Sequence, residues 1–432
     1  MTLKIAWAGP WNTHSAIAIF GTEVVAALTA DGHHVEVLRT EHGESLQLPA
    51  LDAPFAVRLL ATVEAARIHH EYDVVIANLG DHFGYHGALA PFLLETDAVV
   101  ILHDAFIANF CAGWANLFPD PDHALLAMVT AAYGPDAMSA GTPFWLPPAE
   151  MVRRRPMIEL FAGQAIAAIV HASHYQARVA GICPGPVTRI PLAYRDPRIP
   201  PTRRSGETLE VATFGLVNSN KQIIEVIKAI GGSDQLRARC RYHVIGSAEP
   251  DEQRRIEAAM RTYGVTNVVF TGWVNDETLR NLLMEMDVIC CLRSPILEGG
   301  SASVIVAMLA GRTVLVSDHG VYGELPDDVV LKCRPGEEAE DIRHHLEACI
   351  ADRDAMWARG TRARSHAQET HAPESYARKL LDVIEQAQAG SPELRTCMRL
   401  GRVLASFGLG MDDPAARVAA GTLAGMLGKY SR

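Results

Sequence analysis

The sequence has no run of 18 uncharged apolar residues, so no transmembrane helix is expected. It has no excess of basic residues. The formal net charge is −11, which argues against a protein that holds nucleic acid on a broad basic surface. The eight cysteines (Cys111, Cys183, Cys240, Cys290, Cys291, Cys333, Cys349, Cys397) form no CxxC pair and no regular framework, so reduced thiols in cores are expected. The first strand–helix loop lacks GxGxxG, which counts against a nicotinamide or flavin enzyme. The opening MTLKIAWAGP enters a strand at once and has no signal-peptide pattern, and the expectation is a cytoplasmic protein. The loop richest in His and Asp, Asn78 to His86, holds Asp81, His82, Tyr85 and His86 at a spacing that fits no common metal site. No metal and no cofactor are expected.

What is there is 432 residues, 49% hydrophobic and 21% charged, enough for two globular domains of about 200 residues each. The chain is organised around Asp287 to Asp328. Val288 to Leu292 is an apolar run suited to a buried parallel strand. The loop from Arg293 to Gly300 carries one acid, Glu298, ahead of Gly299 and Gly300. Ser301 or Ser303 can cap the helix that follows, Gly311 can end it, and Thr313 to Ser317 reads as the next strand. A glycine-rich loop feeding a capped helix points backbone N–H groups and a positive dipole end into a crevice, which suits phosphate. A preceding carboxylate can bind sugar hydroxyls. An ordinary βαβ unit with a glycine-rich turn is the competing reading of the pattern alone.

The residues of this stretch resemble the signature of the retaining glycosyltransferases of family 4, which have the GT-B fold. In that signature a Glu, seven residues and a second Glu are followed by Ala-Met and a small-residue run ending in Gly. Here Glu298 takes the first position and Ala307-Met308-Leu309-Ala310-Gly311 the tail, while Val306 replaces the second Glu. In the family that Glu binds the nucleotide ribose. The segment Asp318 to Asp328 resembles the family's D-x-G-x-x-x-E.

The rest of the chain alternates strands and helices. Lys4 to Ala8, His34 to Leu38, Tyr72 to Ala77, Asp97 to Leu102, Gln164 to His171 and Val187 to Pro191 read as strands, and Ile17 to Ala30 and Phe55 to His70 as helices. Residues 110 to 165 look less regular. Ser15-Ala16 stands where the family's first loop is usually glycine-rich. His103-Asp104 lies at a strand's carboxyl end, where ligands collect in open α/β sheets. A His satisfied by a backbone carbonyl is the competing reading there. The family often has a His at this point near the transferred sugar, and the resemblance assigns that role to His103. His82 and Asp104, with Ser15 and Ala16, are acceptor-side candidates.

Arg195 to Gly206, with three prolines and four arginines, reads as a linker. The βα pattern then restarts at Leu209 to Phe214, followed by Gly215-Leu216-Val217-Asn218-Ser219-Asn220-Lys221. A Lys between a strand and a helix N-terminus is a good diphosphate ligand. Lys221 matches the family's Lys, but Leu216 stands where its Arg would be. Trp273 and Val274 match the loop that lies against the nucleotide base; a packed Trp is the alternative.

The resemblance implies an α/β chain of GT-B architecture, two Rossmann-like doubly wound parallel-sheet domains facing a central cleft. Residues 1–195 would form the acceptor-side domain, completed by returning helices at about 370–390. Residues 196–206 would be the linker and 207–369 the nucleotide-sugar domain. Residues 391–432 read as two helices of unassigned role, with packing, self-association and peripheral membrane contact all open. The implied activity is transfer of a hexosyl group from a nucleoside diphosphate sugar to a hydroxyl acceptor, with retention. The implied catalytic residues are His103, Glu298 and Lys221. The donor-binding set is Gly215, Asn218, Lys221, Trp273, Val274, Gly299, Gly300, Ser301, Ala302 and Ser303. Two other readings stay open: a nucleotide-sugar epimerase on the same fold, and a non-catalytic nucleotide-sugar-binding protein.

Overall fold

The computed structural model describes residues 2–139, 141–410 and 413–430. The chain divides into two units. One comprises residues 1–171, 175–190 and 377–432, the other residues 172–174 and 191–376.

The first unit is built on a seven-stranded, wholly parallel sheet. Its strands are β1 (Lys4–Gly9), β2 (His34–Arg39), β3 (Val57–Leu59), β4 (Val74–Leu79), β5 (Val99–Leu102), β6 (Ala167–Val170) and β7 (Val187–Arg189). They lie in the order β3-β2-β1-β4-β5-β6-β7. The second unit carries a six-stranded parallel sheet of β8 (Leu209–Phe214), β9 (Cys240–Ile245), β10 (Val268–Gly272), β11 (Val288–Cys291), β12 (Thr313–Ser317) and β13 (Leu331–Cys333). Its order is β10-β9-β8-β11-β12-β13. These are two Rossmann-like doubly wound domains. Central strands such as β4, β5, β8 and β11 are buried along their whole length, which is why they read as continuous apolar runs. In each sheet the chain reverses its direction of growth once, between β1 and β4 and between β8 and β11. The carboxyl ends of those pairs are the topological switch points where such sheets bind ligands.

Two expectations fail. Residues 55–70 are not a helix but β3, two 3₁₀ turns and a short helix, Ile68–Glu71. A helix needs one continuous buried stripe, and here only Leu60 and Ile68 are buried. Pairing of Val57 with Val37 at the sheet edge wins instead. Residues 108–154 are more regular than expected, with helices Ala108–Ala115, Pro121–Tyr133 and Pro148–Arg154. The Asp120 side chain accepts from His123 N at 3.0 Å, with Pro121 in the first turn, a start signal hidden among prolines.

All eight cysteines are free, and seven are buried. Among the described residues no helix is long and apolar enough to cross a membrane. Helices Ser391–Ser406 and Pro414–Tyr430 follow helix Pro373–Ala389.

The amino-terminal end of the second sheet's central strands, opposite the switch point, is held by Asp287. Its carboxylate accepts from Glu210 N at 2.9 Å and pairs with Arg204 at 3.3 Å and Arg353 at 3.1 Å. Asp287→Ala should remove the acceptor shared by Glu210 N, Arg204 and Arg353, which keep Glu210 and the 206–208 carbonyls as partners, and cost about 1–3 kcal/mol, below the value for fully buried pairs. Chemical denaturation followed by circular dichroism measures this, and a shift under 0.5 kcal/mol would show the network to be idle.

Candidate functional site

At the second switch point β8 ends at Phe214 and the chain turns through Gly215. Gly215 has φ +87°, and a Cβ there would lie 2.7 Å from Lys221 Nζ. The positive φ favours glycine, and a Cβ would push the Lys221 ammonium from its place. The turn Ser219–Lys221 then folds back, Gln222 takes a left-handed conformation, and helix Ile223–Gly231 begins. Lys221 is turned inward, 6% exposed, and its Nζ donates to the Phe214 carbonyl. Burial, then the nearby Arg293 cation, bring its pKa down to about 7, against the pull of Cys291 and Glu298. Asn218 is exposed.

From β11 the chain runs through Leu292 and Arg293 to the glycine loop and helix Ala302–Leu309. Of the two candidate caps it is Ser301 that serves, its Oγ accepting from Val304 N at 3.4 Å. Gly299 and Ser301 are buried, whereas Gly300, Ala302 and Ser303 are half-buried. Glu298 Oε1 accepts from Tyr322 OH at 2.6 Å and pairs with Arg293 Nε at 2.9 Å; Oε2 accepts from Leu297 N at 3.2 Å. Burial opposes the Arg293 charge, but Tyr322, Glu298 and Cys291 outweigh it and its pKa is raised. The two loops are tied together: Ser294 N donates to Asn220 O at 3.0 Å, and Asn220 Nδ2 donates to Pro295 O. Gly215, Lys221, Glu298 and Ser301 thus belong to one crevice. Arg293 and Tyr322 belong to it too and had no sequence signal beyond their chemistry. Val306 is half-buried on the helix, and Leu216 is 61% exposed. Trp273 is 72% exposed rather than packed, and Val274 is half-buried.

His174 enters this unit from far away in sequence. Its backbone N donates to Glu324 Oε1 at 2.8 Å, and its ring Nδ1 lies 3.8 Å from the same oxygen. Burial lowers its pKa, opposed by Glu324 and Glu298. Nothing in the sequence signalled this pairing across 150 positions.

The first domain's switch point is differently furnished. Ser15 is a buried N-cap, its Oγ accepting from Ala18 N at 3.3 Å, and Ala16 is the exposed first residue of helix Ala16–Ala30. Asp104 Oδ2 accepts from Asp81 N at 2.8 Å. Asp81 accepts from the backbone N of Asn109 at 2.9 Å and of Phe110 at 3.2 Å, while burial pushes its pKa up to about 7. His82 is exposed, its ring 4.3 Å from that of Tyr85. His103 is 5% exposed, with Nε2 3.1 Å from Asn78 Oδ1 and Nδ1 3.2 Å from His171 Nε2. In this conformation His103 therefore faces Asn78 and His171, and burial holds its pKa well below the usual imidazole value. Among the described residues no group of three or more His, Cys, Asp or Glu is placed to hold a metal ion.

Residues 198–366 match the family model of Glycosyl transferases group 1, a match that contains the whole β8–β11 crevice. No curated protein matches the chain. Solved structures share its fold at low identity. Sucrose-phosphate synthase from Thermosynechococcus elongatus is 16% identical over 90% of this chain and 99% of its own, with a TM-score of 0.61. HepE of Anabaena, solved in complex with UDP-glucose, is 14% identical over 89% and 99%, with a TM-score of 0.60. WaaG, a glycosyltransferase involved in lipopolysaccharide biosynthesis, is 17% identical over 88% and 99%, with a TM-score of 0.57. These place the two-domain chain among GT-B folds.

The first domain's buried imidazoles set a pH dependence. Burial pushes His86 down to about 3, and His103 is also lowered. The unfolded chain binds protons on these rings at about pH 6.5. Their contribution to stability is therefore full above pH 6.5 and lost as pH falls toward 3. Denaturation midpoints between pH 7.5 and 4.5 should decline, and His86→Asn should flatten the decline; an unchanged slope would contradict the assignment.

Proposed function

We propose that the chain is a retaining glycosyltransferase that moves a hexosyl group from a nucleoside diphosphate sugar to a hydroxyl acceptor. The observation that supports this most is the crevice at the β8–β11 switch point, where a buried lysine, the N-terminus of helix Ala302–Leu309 and one carboxylate meet. Charge builds on the diphosphate as the sugar leaves. Lys221 and the N–H groups at 300–303 stabilise that charge in a site of low dielectric. Glu298, held by Arg293 and Tyr322, presents Oε2 toward sugar hydroxyls. The departing phosphate takes the proton of the attacking hydroxyl. Trp273 and Val274 border the nucleotide base. The first domain, with Ser15, Ala16, His82 and Asp104, serves the acceptor, and His103 the transferred sugar. The donor complex of HepE makes UDP the first nucleotide to test.

Lys221→Ala should weaken UDP binding by about 1.5–3 kcal/mol, the scale of a charge-assisted contact. Calorimetry reads this directly, and unchanged affinity removes Lys221 from the site. Glu298→Gln should cut turnover of the nucleotide-sugar while UDP affinity stays within a few-fold; parallel loss of both would give Glu298 a different role. Incubation of the donor alone separates the enzyme classes, since epimerised sugar without acceptor would contradict transfer.

A further inference from the structure

Resemblance leaves this chain one cation short. Leu216 stands where the family resemblance leads one to expect an Arg, and between β8 and helix Ile223–Gly231 the only basic residue is Lys221. A diphosphate held by a single point charge is weakly held. The structure offers a second cation from the neighbouring strand. β11 pairs directly with β8, Val288 opposite Val211 and Ile289 opposite Ala212, so the loop that leaves β11 lies beside the loop that leaves β8. Arg293 is the second residue of that β11 loop, after the buried Leu292.

We propose that Arg293 supplies the second diphosphate contact, taking over from the β11 loop the task that Leu216 cannot perform. The assignment rests on the donor-site reading above and names a further ligand for it. The Arg293 side chain is 10% exposed and is held on two sides. Nε pairs with Glu298 Oε1 at 2.9 Å, Nη1 donates to Leu292 O at 2.7 Å, and its backbone N donates to Ser317 Oγ at 2.9 Å. Nε and Nη1 are thus in use, and among the described residues Nη2 donates to no protein group, which leaves its N–H groups to spare. The ties between Ser294 and Asn220 and between Asn220 and Pro295 hold the Arg293 loop against the Lys221 turn.

Charge counting points the same way. Lys221 and Arg293 are two buried cations, and among the described residues Glu298 is the one carboxylate paired with either. Burying a cation without a counter-ion is costly. That cost shows at Lys221, whose proton affinity is depressed by burial and then by Arg293. An arriving diphosphate restores the balance. A planar guanidinium suits the phosphate oxygens bidentately, and Lys221 takes the remaining charge. Arg293 thereby links the leaving group to Glu298 on the sugar side.

Calorimetric titration of UDP and UMP into wild-type protein, Arg293→Gln and Arg293→Lys tests this, with circular dichroism confirming the fold. Arg293→Gln should lower UDP affinity at least tenfold and UMP affinity less, because UMP lacks the second phosphate. Arg293→Lys keeps the charge without the fork and should lose about threefold to tenfold. The pH profile adds a readout that a purely structural role would not move. Wild-type affinity should fall as pH rises above 7, where Lys221 loses its proton, and in Arg293→Gln the fall should begin at higher pH. UDP affinity within threefold of wild type in both variants overturns the assignment, as does equal weakening of UDP and UMP. If Arg293→Gln fails to fold, Arg293→Lys decides alone by the same criteria. Wild-type protein that binds neither UDP nor another nucleoside diphosphate overturns the donor-site reading itself, an outcome distinct from the failure of Arg293 alone.

Discussion

Lys221, turned inward against the Phe214 carbonyl, is the contact around which the second domain's crevice is arranged. A Cβ at residue 215 would press against its ammonium. The turn that brings it there ends in a left-handed Gln222 and is pinned through Asn220 to the β11 loop. That loop in turn carries Arg293 and Glu298 and leads into the Ser301-capped helix. A cation in this position is uncomfortable: burial brings its pKa down to about 7. The same desolvation that destabilises it without a partner strengthens its attraction to an anion. A site built this way favours ligands that bring negative charge with them.

The two switch points contrast in how their polar groups are occupied. In the first domain Asp81 and Asp104 bond to neighbouring backbone amides, and Glu41 is closed off by Trp11 N, Asn12 and Arg39. His103 is enclosed between Asn78 and His171. At that end of the first sheet the carboxylates already have protein donors. The crevice of the second domain instead has more buried positive than negative charge.

Much of the fold was legible because parallel strands buried on both faces leave continuous apolar runs. β1, β4, β5, β8, β11 and β12 all stand within two residues or so of where the apolar runs lie. Residues 55–70 were misread because apolar spacing alone does not distinguish an amphipathic helix from a sheet edge followed by turns. Lys221, Glu298 and the glycine loop were legible through their positions between strand and helix. Arg293, Tyr322 and His174 were not. Arg293 reads as an ordinary loop cation until β11 is seen beside β8, and Tyr322 and His174 reach their partners only through tertiary folding. The burial of His103 was equally invisible, since the Asn78 and His171 that flank it lie 25 and 68 positions away.

The most direct test of the account is a crystal structure of the protein soaked or grown with UDP. The account predicts the diphosphate at the carboxyl ends of β8 and β11, within hydrogen-bonding distance of Lys221 Nζ and the amides at 300–303, with the uracil ring beside Trp273 and Val274. UDP bound elsewhere, with Lys221 still turned to the Phe214 carbonyl and the crevice holding only water, would contradict it.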